Sequence, residues 1–272
     1  MQNVIKRYPV QHPLLQKYIK FFWEFRVDQI QLNHKLIPQR NINIRINLSD
    51  TPHYHSQGSN DRLLDNVYFM GLQNKCTGAY LKVNGNVDIV GICFKPYGLF
   101  PFVKIPVYEF KNRILGASEI NFNLSAKVCE RLKECSDTTR RLAIIETELV
   151  ALLNDSTQSL DKFQLIFNAL IQGNTYQLNN FCTQNNIGIR QLERLFLKYI
   201  GLSPNTYTTL NRFHGALNQM LNASNAKLTS LAYDNEYFDQ MHFIKEFKRY
   251  TGSTPKSFTN TKNSILQIGQ LA

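Results

Sequence analysis

The sequence from Tyr237 to Phe258 reads YFDQMHFIKEFKRYTGSTPKSF, and it carries an amphipathic pattern that stops at a glycine. On a helix that advances 100° per residue, one side consists of Phe243, Ile244, Phe247, Tyr250 and Thr251. The opposite side is mostly basic or polar and contains Met241, His242, Lys245, Lys248 and Arg249. Such a helix has one face to bury in a small core and another to present to an anionic groove.

A related stretch, IGIRQLERLFLKYIGLSP, runs from Ile187 to Pro204. Phe, a basic residue, Tyr, Gly and Pro recur in the same order and at the same spacing in both stretches, 51 residues apart. Shorter segments, Leu178 to Asn185 and Leu228 to Asp234, precede the two copies. A short helix, a tight turn and a longer helix with a basic face make up a helix-turn-helix, so the pattern predicts two of them.

A single helix from Pro204 to Leu221, capped by Ser203, is predicted to join the two motifs. Its ~18 residues would span roughly 27 Å at 1.5 Å per residue. A stiff spacer of that length can hold two recognition helices about one turn of DNA apart on one side of the duplex.

Residues 160 to 260 resemble the tandem helix-turn-helix domain of the AraC/XylS family of bacterial transcription regulators. The resemblance is carried in the first half by Leu192, Arg194, Phe196, Gly201, Pro204 and Tyr207. In the second half it is carried by Ala232, Tyr237, Asp239, Gln240, Phe243, Phe247, Lys248, Tyr250, Gly252, Thr254, Pro255 and Phe258. It implies a regulator that inserts two recognition helices into successive segments of the major groove, and a bacterial, cytoplasmic protein.

The chain departs from the family pattern at two turn positions. Glu236 stands where the family usually has Gly, and we expect Asn235 to adopt any positive φ that this turn needs. Gly188 stands where the family usually has a serine cap, and Gly caps a helix almost as well as Ser.

The first half of the chain has strand periodicity instead. Asn41 to Leu48 alternates strictly, and Ala79 to Val83 and Val87 to Phe94 read as a hairpin around Asn84-Gly85-Asn86. Residues 67 to 116 also resemble, more loosely, an N-terminal sensing or dimerising module found fused to regulators of this class. The predicted fold class is α+β: a β-rich N-terminal barrel or sandwich domain with helices, then an all-α tandem helix-turn-helix domain.

Leu124 to Leu153 has helical periodicity, broken at Ser136-Asp137-Thr138. Its apolar stripes fit packing within the domain. In this class of regulator such helices also serve as dimer contacts, so the sequence leaves the choice between internal packing and a homodimer undecided. Asn154 to Ser159 is the predicted linker between a sensing or dimerisation domain, 1–155, and a DNA-binding domain, 156–272.

Composition agrees with an anionic partner and excludes several other classes. The formal charge of the 272 residues is +11, which favours nucleic acid. Five Cys without a CxxC pair suit reduced thiols, and no segment is apolar enough to span a bilayer. The N-terminus lacks the apolar run of a signal peptide.

No catalytic, cofactor or metal motif emerges from the sequence. His53-Tyr54-His55 lacks further ligands nearby, and we expect a pair of histidines in a turn or loop. An alternative to the regulator is a DNA-repair or modifying enzyme with the same DNA-binding domain, but Cys76, Cys93, Cys129 and Cys135 are too scattered for its zinc site. A small-molecule effector of the β-rich domain refines the first hypothesis.

The predicted partner is therefore double-stranded DNA. The predicted contacts lie on the outer faces of the two recognition helices: Arg190, Gln191, Glu193, Arg194, Lys198, Gln240, Met241, His242, Lys245 and Arg249.

Overall fold

A computed structural model describes residues 5–103, 105–120, 122, 124, 126–153, 158–172, 178–222 and 227–260. The N-terminal part is an eight-stranded antiparallel sheet with the order β1-β2-β7-β3-β6-β8, and β4 and β5 join it through β7. The strands are β1 (Lys6–Tyr8), β2 (Ile19–Lys35), β3 (Asn43–Asn47), β4 (His53–Gln57), β5 (Asn60–Leu63), β6 (Val67–Met70), β7 (Ala79–Phe94) and β8 (Ile114–Gly116).

The two long strands β2 and β7 form the frame of this sheet, and they correct one prediction. The expected hairpin at Asn84-Gly85-Asn86 is wrong, because β7 continues through these residues and stays paired with β2. Gly85 has a φ of +140°, and it lies opposite a register shift between Val27 and Ile30. An Asn-Gly pair signals positive φ, and here a β-bulge uses that conformation in place of a turn.

The sheet is covered on both faces. Every residue of β3 is buried. Ile44 and Ile46 belong to the large core beneath the helices, whereas Trp23 and Tyr68 belong to a second cluster on the other side of the sheet. Strict alternation correctly predicted a strand, but Asn43 and Arg45, on its polar face, are also buried.

Two helices, α1 (Ala126–Glu134) and α2 (Thr138–Leu152), follow the sheet and confirm the predicted break near Asp137, which caps α2. Arg141 of α2 is buried and donates to both carboxylate oxygens of Asp88 at 2.9 Å. The apolar stripes are largely used inside the chain, since Leu132, Ile145 and Leu149 are fully buried.

The remaining elements are helical: α3 (Gln158–Gln172), α4 (Leu178–Gln184), α5 (Ile189–Tyr199), α6 (Pro204–Asn222), α7 (Leu228–Asp234), α8 (Gln240–Thr251) and α9 (Pro255–Asn260). The predicted linker falls mainly outside the described residues. Its last two positions, Gln158 and Ser159, belong to α3 instead, because the helix begins before its first apolar residue.

The sheet and the helices share one continuous hydrophobic core that extends from Val10 to Phe258. Aromatic side chains form much of the junction, where Tyr97 packs edge-on against Phe167 of α3 at 5.4 Å between ring centroids. His214 of α6 also crosses the junction, since its Nε2 lies 2.9 Å from the carbonyl oxygen of Pro38. The predicted boundary between residues 155 and 156 therefore separates two regions that differ in sequence pattern but pack against each other.

Candidate nucleic-acid interface

The first helix-turn-helix consists of α4 and α5. Asn186 adopts a φ of +50° between the two helices, and the backbone N–H of Ile187 donates to the carbonyl of Cys182. Gly188 is the N-cap of α5 and provides no side-chain hydrogen bond. The helical period of α5 predicts that Leu192, Leu195, Phe196 and Tyr199 face inward. Leu192, Phe196 and Tyr199 are buried and Leu195 is half-buried, which confirms this inner face.

The second motif, α7 and α8, repeats this geometry with a different cap. Glu236 has a φ of +58°, whereas Asn235 has a φ of −109°, so the expectation that Asn235 would take the positive φ is wrong. Instead, the Asn235 side chain donates to the carbonyl of Leu231, as Asn185 does to Phe181. The carboxylate of Asp239 caps α8 by accepting from the backbone N–H of His242 at 2.7 Å.

The two turns differ by one residue. Ile187 and Tyr237 make equivalent backbone hydrogen bonds, to Cys182 and Ala232, at an offset of 50 residues. The recognition helices are offset by 51 residues instead, so the second turn holds an extra residue, Phe238. Its side chain is 87% exposed, and nothing in the sequence repeat singled it out.

The joining helix α6 confirms the predicted spacer within one residue. Ser203 caps it through its hydroxyl, which accepts from the N–H of Thr206, and Pro204 begins it. Its 19 residues correspond to roughly 28 Å.

A buried polar network ties α6 to the second motif, and sequence reasoning missed it. Arg212 of α6 lies 2.8 Å from Glu246 of α8, and the hydroxyl of Tyr237 donates to the same carboxylate at 2.6 Å. The Arg212 guanidinium also stacks on the Tyr237 ring at 4.4 Å. Burial, followed by the negative charge of Glu246, raises the pKa of Tyr237, so this phenol stays protonated and remains a donor. No pattern in the sequence marks Glu246 as buried among the exposed charges of α8.

The structure places the predicted contact residues on the outer faces of α5 and α8. All of them are exposed except Gln240, which is half-buried at the start of α8. Met241 is 69% exposed, so its side chain lies free on the outer face of α8. The residues on the two faces are Arg190, Gln191, Glu193, Arg194 and Lys198 on α5, and Gln240, Met241, His242, Lys245 and Arg249 on α8.

These faces carry uncompensated positive charge. Within the described ranges, no carboxylate forms an ion pair with Arg190, Arg194, Lys198, Lys245 or Arg249, whereas Arg26, Arg62 and Arg141 of the N-terminal domain do have acidic partners. Unpaired cations on a helix surface are available to phosphate oxygens and base edges.

Both recognition helices also touch the N-terminal domain at their C-terminal ends. Beyond α5, Gly201 has a φ of +86°, and a Cβ there would lie 2.7 Å from the carbonyl oxygen of Val107. Beside it, Lys198 lies 5.2 Å from the centroid of the Phe100 ring. At the end of α8, the N–H of Cys76 donates to the carbonyl of Arg249.

The histidine pair that invited a metal interpretation lies in β4, so its expected place in a turn or loop is wrong. His53 is buried and its Nδ1 lies 3.1 Å from the Tyr68 hydroxyl, while His55 is half-buried on the same strand. Burial, helped by the nearby charge of Arg45, lowers the pKa of His53 to about 4. Among the residues that the structure describes, no group of three or more His, Cys, Asp or Glu side chains is arranged to hold a metal ion.

The five cysteines are all free thiols, and Cys93 is buried in the sheet, where burial raises its pKa to about 12. Across the described part of the chain, no helix has the length and apolar character needed to cross a membrane.

Two domain families match this chain. Residues 10–116 match a domain of unknown function (DUF6597), and residues 181–261 match a helix-turn-helix domain of AraC type. No curated protein matches the chain. The chain thus carries a helix-turn-helix domain of AraC type that follows an N-terminal domain of unknown function.

Solved structures with a similar chain course include two of ToxT from Vibrio cholerae. One, in a P21 crystal form, is 10% identical, covers 87% of this chain and 96% of its own, and has a TM-score of 0.48. The other, from strain O395 and bound to (E)-4-(8-methylnaphthalen-1-yl)but-3-enoic acid, is 10% identical with coverages of 94% and 98% and a TM-score of 0.45. The AraC-like transcriptional activator CuxR is 12% identical, with coverages of 76% and 92% and a TM-score of 0.29.

Because these structural similarities are low, the assignment rests on the domain matches and on the motif geometry. The helix-turn-helix match supports a DNA-binding transcription regulator.

Proposed function

We propose that this protein is a sequence-specific DNA-binding regulator that places α5 and α8 in two successive segments of the major groove. The observation that supports it is the pair of unpaired cationic faces, held apart by the single helix α6. A spacer of roughly 28 Å, with a recognition helix packed near each end, suits major-groove segments that recur about every 34 Å along one side of the duplex.

Within this proposal the side chains divide into those that read bases and those that grip phosphates. Arg190 and Arg194 lie in the first half of α5, where guanidinium groups reach guanine O6 and N7. Lys198 lies near the end of the helix and contacts phosphate. Met241 occupies on α8 the position of Arg190 on α5, and its thioether side chain suits a thymine methyl group.

The remaining predicted contacts complete these two faces. Gln191 and Gln240 are suited to adenine edges, and Glu193 is suited to the amino group of cytosine. His242, Lys245 and Arg249 extend the positive face of α8 toward bases and phosphates.

We further propose that the N-terminal domain binds a small-molecule effector in its polar interior. Arg45 is 3% exposed, lies 5.6 Å from the centroid of the Trp23 ring, and has no carboxylate partner among the described residues. Its Nε and the Nε2 of His53 also have no hydrogen-bond partner in the described chain. Buried polar groups normally have partners, so these atoms favour a small polar or anionic effector. Self-association through α1 and α2, and a location in the cytoplasm, belong to the same proposal.

The experiment that tests the DNA function is selection of bound duplexes from a random pool by the full-length protein. We expect an enriched site with two conserved segments about 10 base pairs apart, one for each recognition helix. The double variant Arg194→Ala/Lys245→Ala should lose the enrichment. Lys111→Ala, which removes an exposed cation of the N-terminal domain, is the matched control and should keep it. Recovery of sequences with only one conserved segment would contradict the two-helix arrangement.

A further inference from the structure

A cleft of about 830 Å³ separates the outer face of α5 from the N-terminal domain. One wall, which we call the N-terminal wall, consists of Phe100, Val103, Ile105, Pro106 and Tyr108. The other wall belongs to α5 and consists of Arg190, Glu193, Arg194, Leu197 and Lys198. The volume lies within the range of roughly 300–1,000 Å³ that is usual for small-molecule sites.

The two walls have different chemistry. The N-terminal wall is apolar and partly aromatic, and its Phe100 ring packs edge-on against Tyr199 at 4.8 Å, which holds it against the end of α5. The α5 wall presents three cations and one carboxylate, with Leu197 among them. An apolar surface facing a net positive one is complementary to a molecule that has an apolar body and an anionic head.

We propose that this cleft is a binding site for a small amphipathic anion, such as a carboxylic acid with an aromatic or aliphatic body. The body lies against Phe100, Val103 and Tyr108. The head group faces Arg194 and Lys198, whose charges have no acidic partner in the described chain. Glu193 lies between Arg190 and Arg194 along α5, so the charge of this wall remains net positive.

The location of the cleft has a consequence for regulation, which rests on the proposed DNA-binding function. The cations that hold the anion are the same side chains that we assign to the first major-groove segment. A recognition helix in the major groove also has a phosphate backbone on either side, because the groove is only about 12 Å wide. An anion bound between the N-terminal wall and the cations of α5 fills the space that one of these backbones needs, so the occupied cleft and bound DNA exclude each other at α5.

This site differs from the interior of the sheet. The Arg45 cluster would act on DNA binding through the fold, whereas an anion in the cleft competes with DNA for the same guanidinium groups. The competition leaves α8 untouched, since the cleft includes no residue of that helix.

A pair of fluorescent probes tests the site on the full-length protein. The amphipathic anion 8-anilinonaphthalene-1-sulfonate should bind saturably with increased emission. N-phenyl-1-naphthylamine has the same ring system without the sulfonate and should bind at least about threefold more weakly, because it forgoes the charged hydrogen bonds. Equal affinity for the two probes would overturn the assignment of the cations.

Four variants locate the probe and separate its site from DNA binding. Tyr108→Ala removes a side chain that is 47% exposed, so the fold should tolerate it; it should weaken the sulfonate probe and leave DNA affinity unchanged. Arg194→Ala should weaken both ligands. Leu197→Glu, at a position 39% exposed, should abolish probe binding by placing a carboxylate in the cleft. Lys245→Ala on α8 is the matched control, which should weaken DNA binding only.

The final measurement is competition. The probe should displace DNA from the wild-type protein at concentrations set by its own affinity, and at least about threefold more probe should be required for the Tyr108→Ala variant. Probe binding unchanged by Tyr108→Ala, Arg194→Ala and Leu197→Glu would place it elsewhere and overturn the site. Mapped probe binding without any effect on DNA would overturn the competition alone, and mapped probe binding to a protein that selects no DNA would contradict the proposed function while leaving the site intact.

Discussion

The two helix-turn-helix motifs share a backbone but are stabilised by different chemistry. In the first, Ile187 and Leu195 occupy the positions that Tyr237 and Glu246 occupy in the second. The first motif is thus closed by apolar contacts, and its Tyr199 packs against Phe163 and against Phe100 of the N-terminal domain. The second is closed by the hydrogen-bonded network of Tyr237, Glu246 and Arg212.

This difference indicates that a repeated fold does not imply repeated energetics. A motif held together by apolar contacts tolerates substitution by side chains of similar volume. Removal of one partner of a buried ion pair, in contrast, strongly destabilises the fold. The first recognition helix lies beside the N-terminal domain along a shared cleft, and the second contacts that domain near its C-terminal end. We therefore expect the first motif to respond to ligands and the second to maintain a fixed geometry.

The largest expected effect is on the buried network of the second motif. Glu246→Ala should lower the free energy of unfolding by about 3–5 kcal/mol, because it leaves the Arg212 guanidinium buried without its carboxylate. Leu195→Ala, the equivalent change in the first motif, is the comparison. Urea denaturation of both variants measures the loss in free energy of unfolding, and Glu246→Gln is a control that keeps the shape of the side chain. A smaller loss for Glu246→Ala than for Leu195→Ala would contradict the contrast between the motifs.

The next effect separates reading from positioning on α5. Arg194→Ala should cost about 1–3 kcal/mol of binding to the cognate duplex and relax the preference at one base position. Lys198→Ala should weaken binding to all sequences about equally. It should also reduce the slope of log affinity against log salt concentration by about one. Binding of both variants to cognate and scrambled duplexes is measured across a salt series. If Arg194→Ala loses equal affinity on both duplexes, it grips the backbone only.

The joining helix that the motifs share should make the protein sensitive to acid. Burial, followed by the charge of Arg40, lowers the pKa of His214 to about 3. The unfolded chain binds this proton first, near pH 6.5, so stability is present above that pH and falls as the pH drops toward 3, by up to about 1.4 kcal/mol per pH unit.

His214→Gln keeps a donor for the Pro38 carbonyl without a titrating group, so it should remove this part of the pH dependence. Urea unfolding at pH 7.5 and pH 5.0 measures the difference, and His242→Gln on the exposed face of α8 is the matched control. An unchanged slope in His214→Gln would mean that other groups carry the acid sensitivity, such as His34 and His53, whose pKa values burial lowers to about 3 and about 4.

The helix caps provide a smaller contrast. Asp239→Ala should destabilise the protein by about 1 kcal/mol, because the backbone N–H of His242 loses its acceptor at the start of α8. Thermal unfolding monitored by circular dichroism measures the change. Asp239→Asn is the control, since an asparagine side chain also caps well.

The smallest expected effect is a gain in the first motif. Gly188→Ser should stabilise the protein by a few tenths of a kcal/mol, because Ser can accept from the first turn of α5 where Gly cannot. The site accepts a side chain, since φ is −68° and no atom lies within 4 Å of a Cβ built there. Denaturation midpoints of the two proteins give the result, and a loss of stability would show that the bare cap serves another purpose.

Local pattern predicted the helical domain closely. The inner faces of α5 and α8, the span of α6 and its Ser203 cap follow from periodicity and turn chemistry, which act within a few residues. The positive φ at the second turn was assigned to Asn235 on intrinsic preference, but Asn235 instead bonds to Leu231 and Glu236 adopts the left-handed conformation. The helix-turn-helix geometry requires a positive φ at this position of the turn, and this requirement overrides the intrinsic conformational preference of the glutamate there.

The sequence by itself determined the class of protein, because amphipathic period, capping residues and the repeated Phe-Lys/Arg-Tyr-Gly-Pro order are all local. Only the tertiary structure decided that β7 runs through Asn84-Gly85, that Glu246 is buried with Arg212, and that α5 faces a cleft. These depend on pairing and packing between residues far apart in the chain. The cost of burying a charge or bending a strand is set by the partner it meets, and no window of sequence contains that partner.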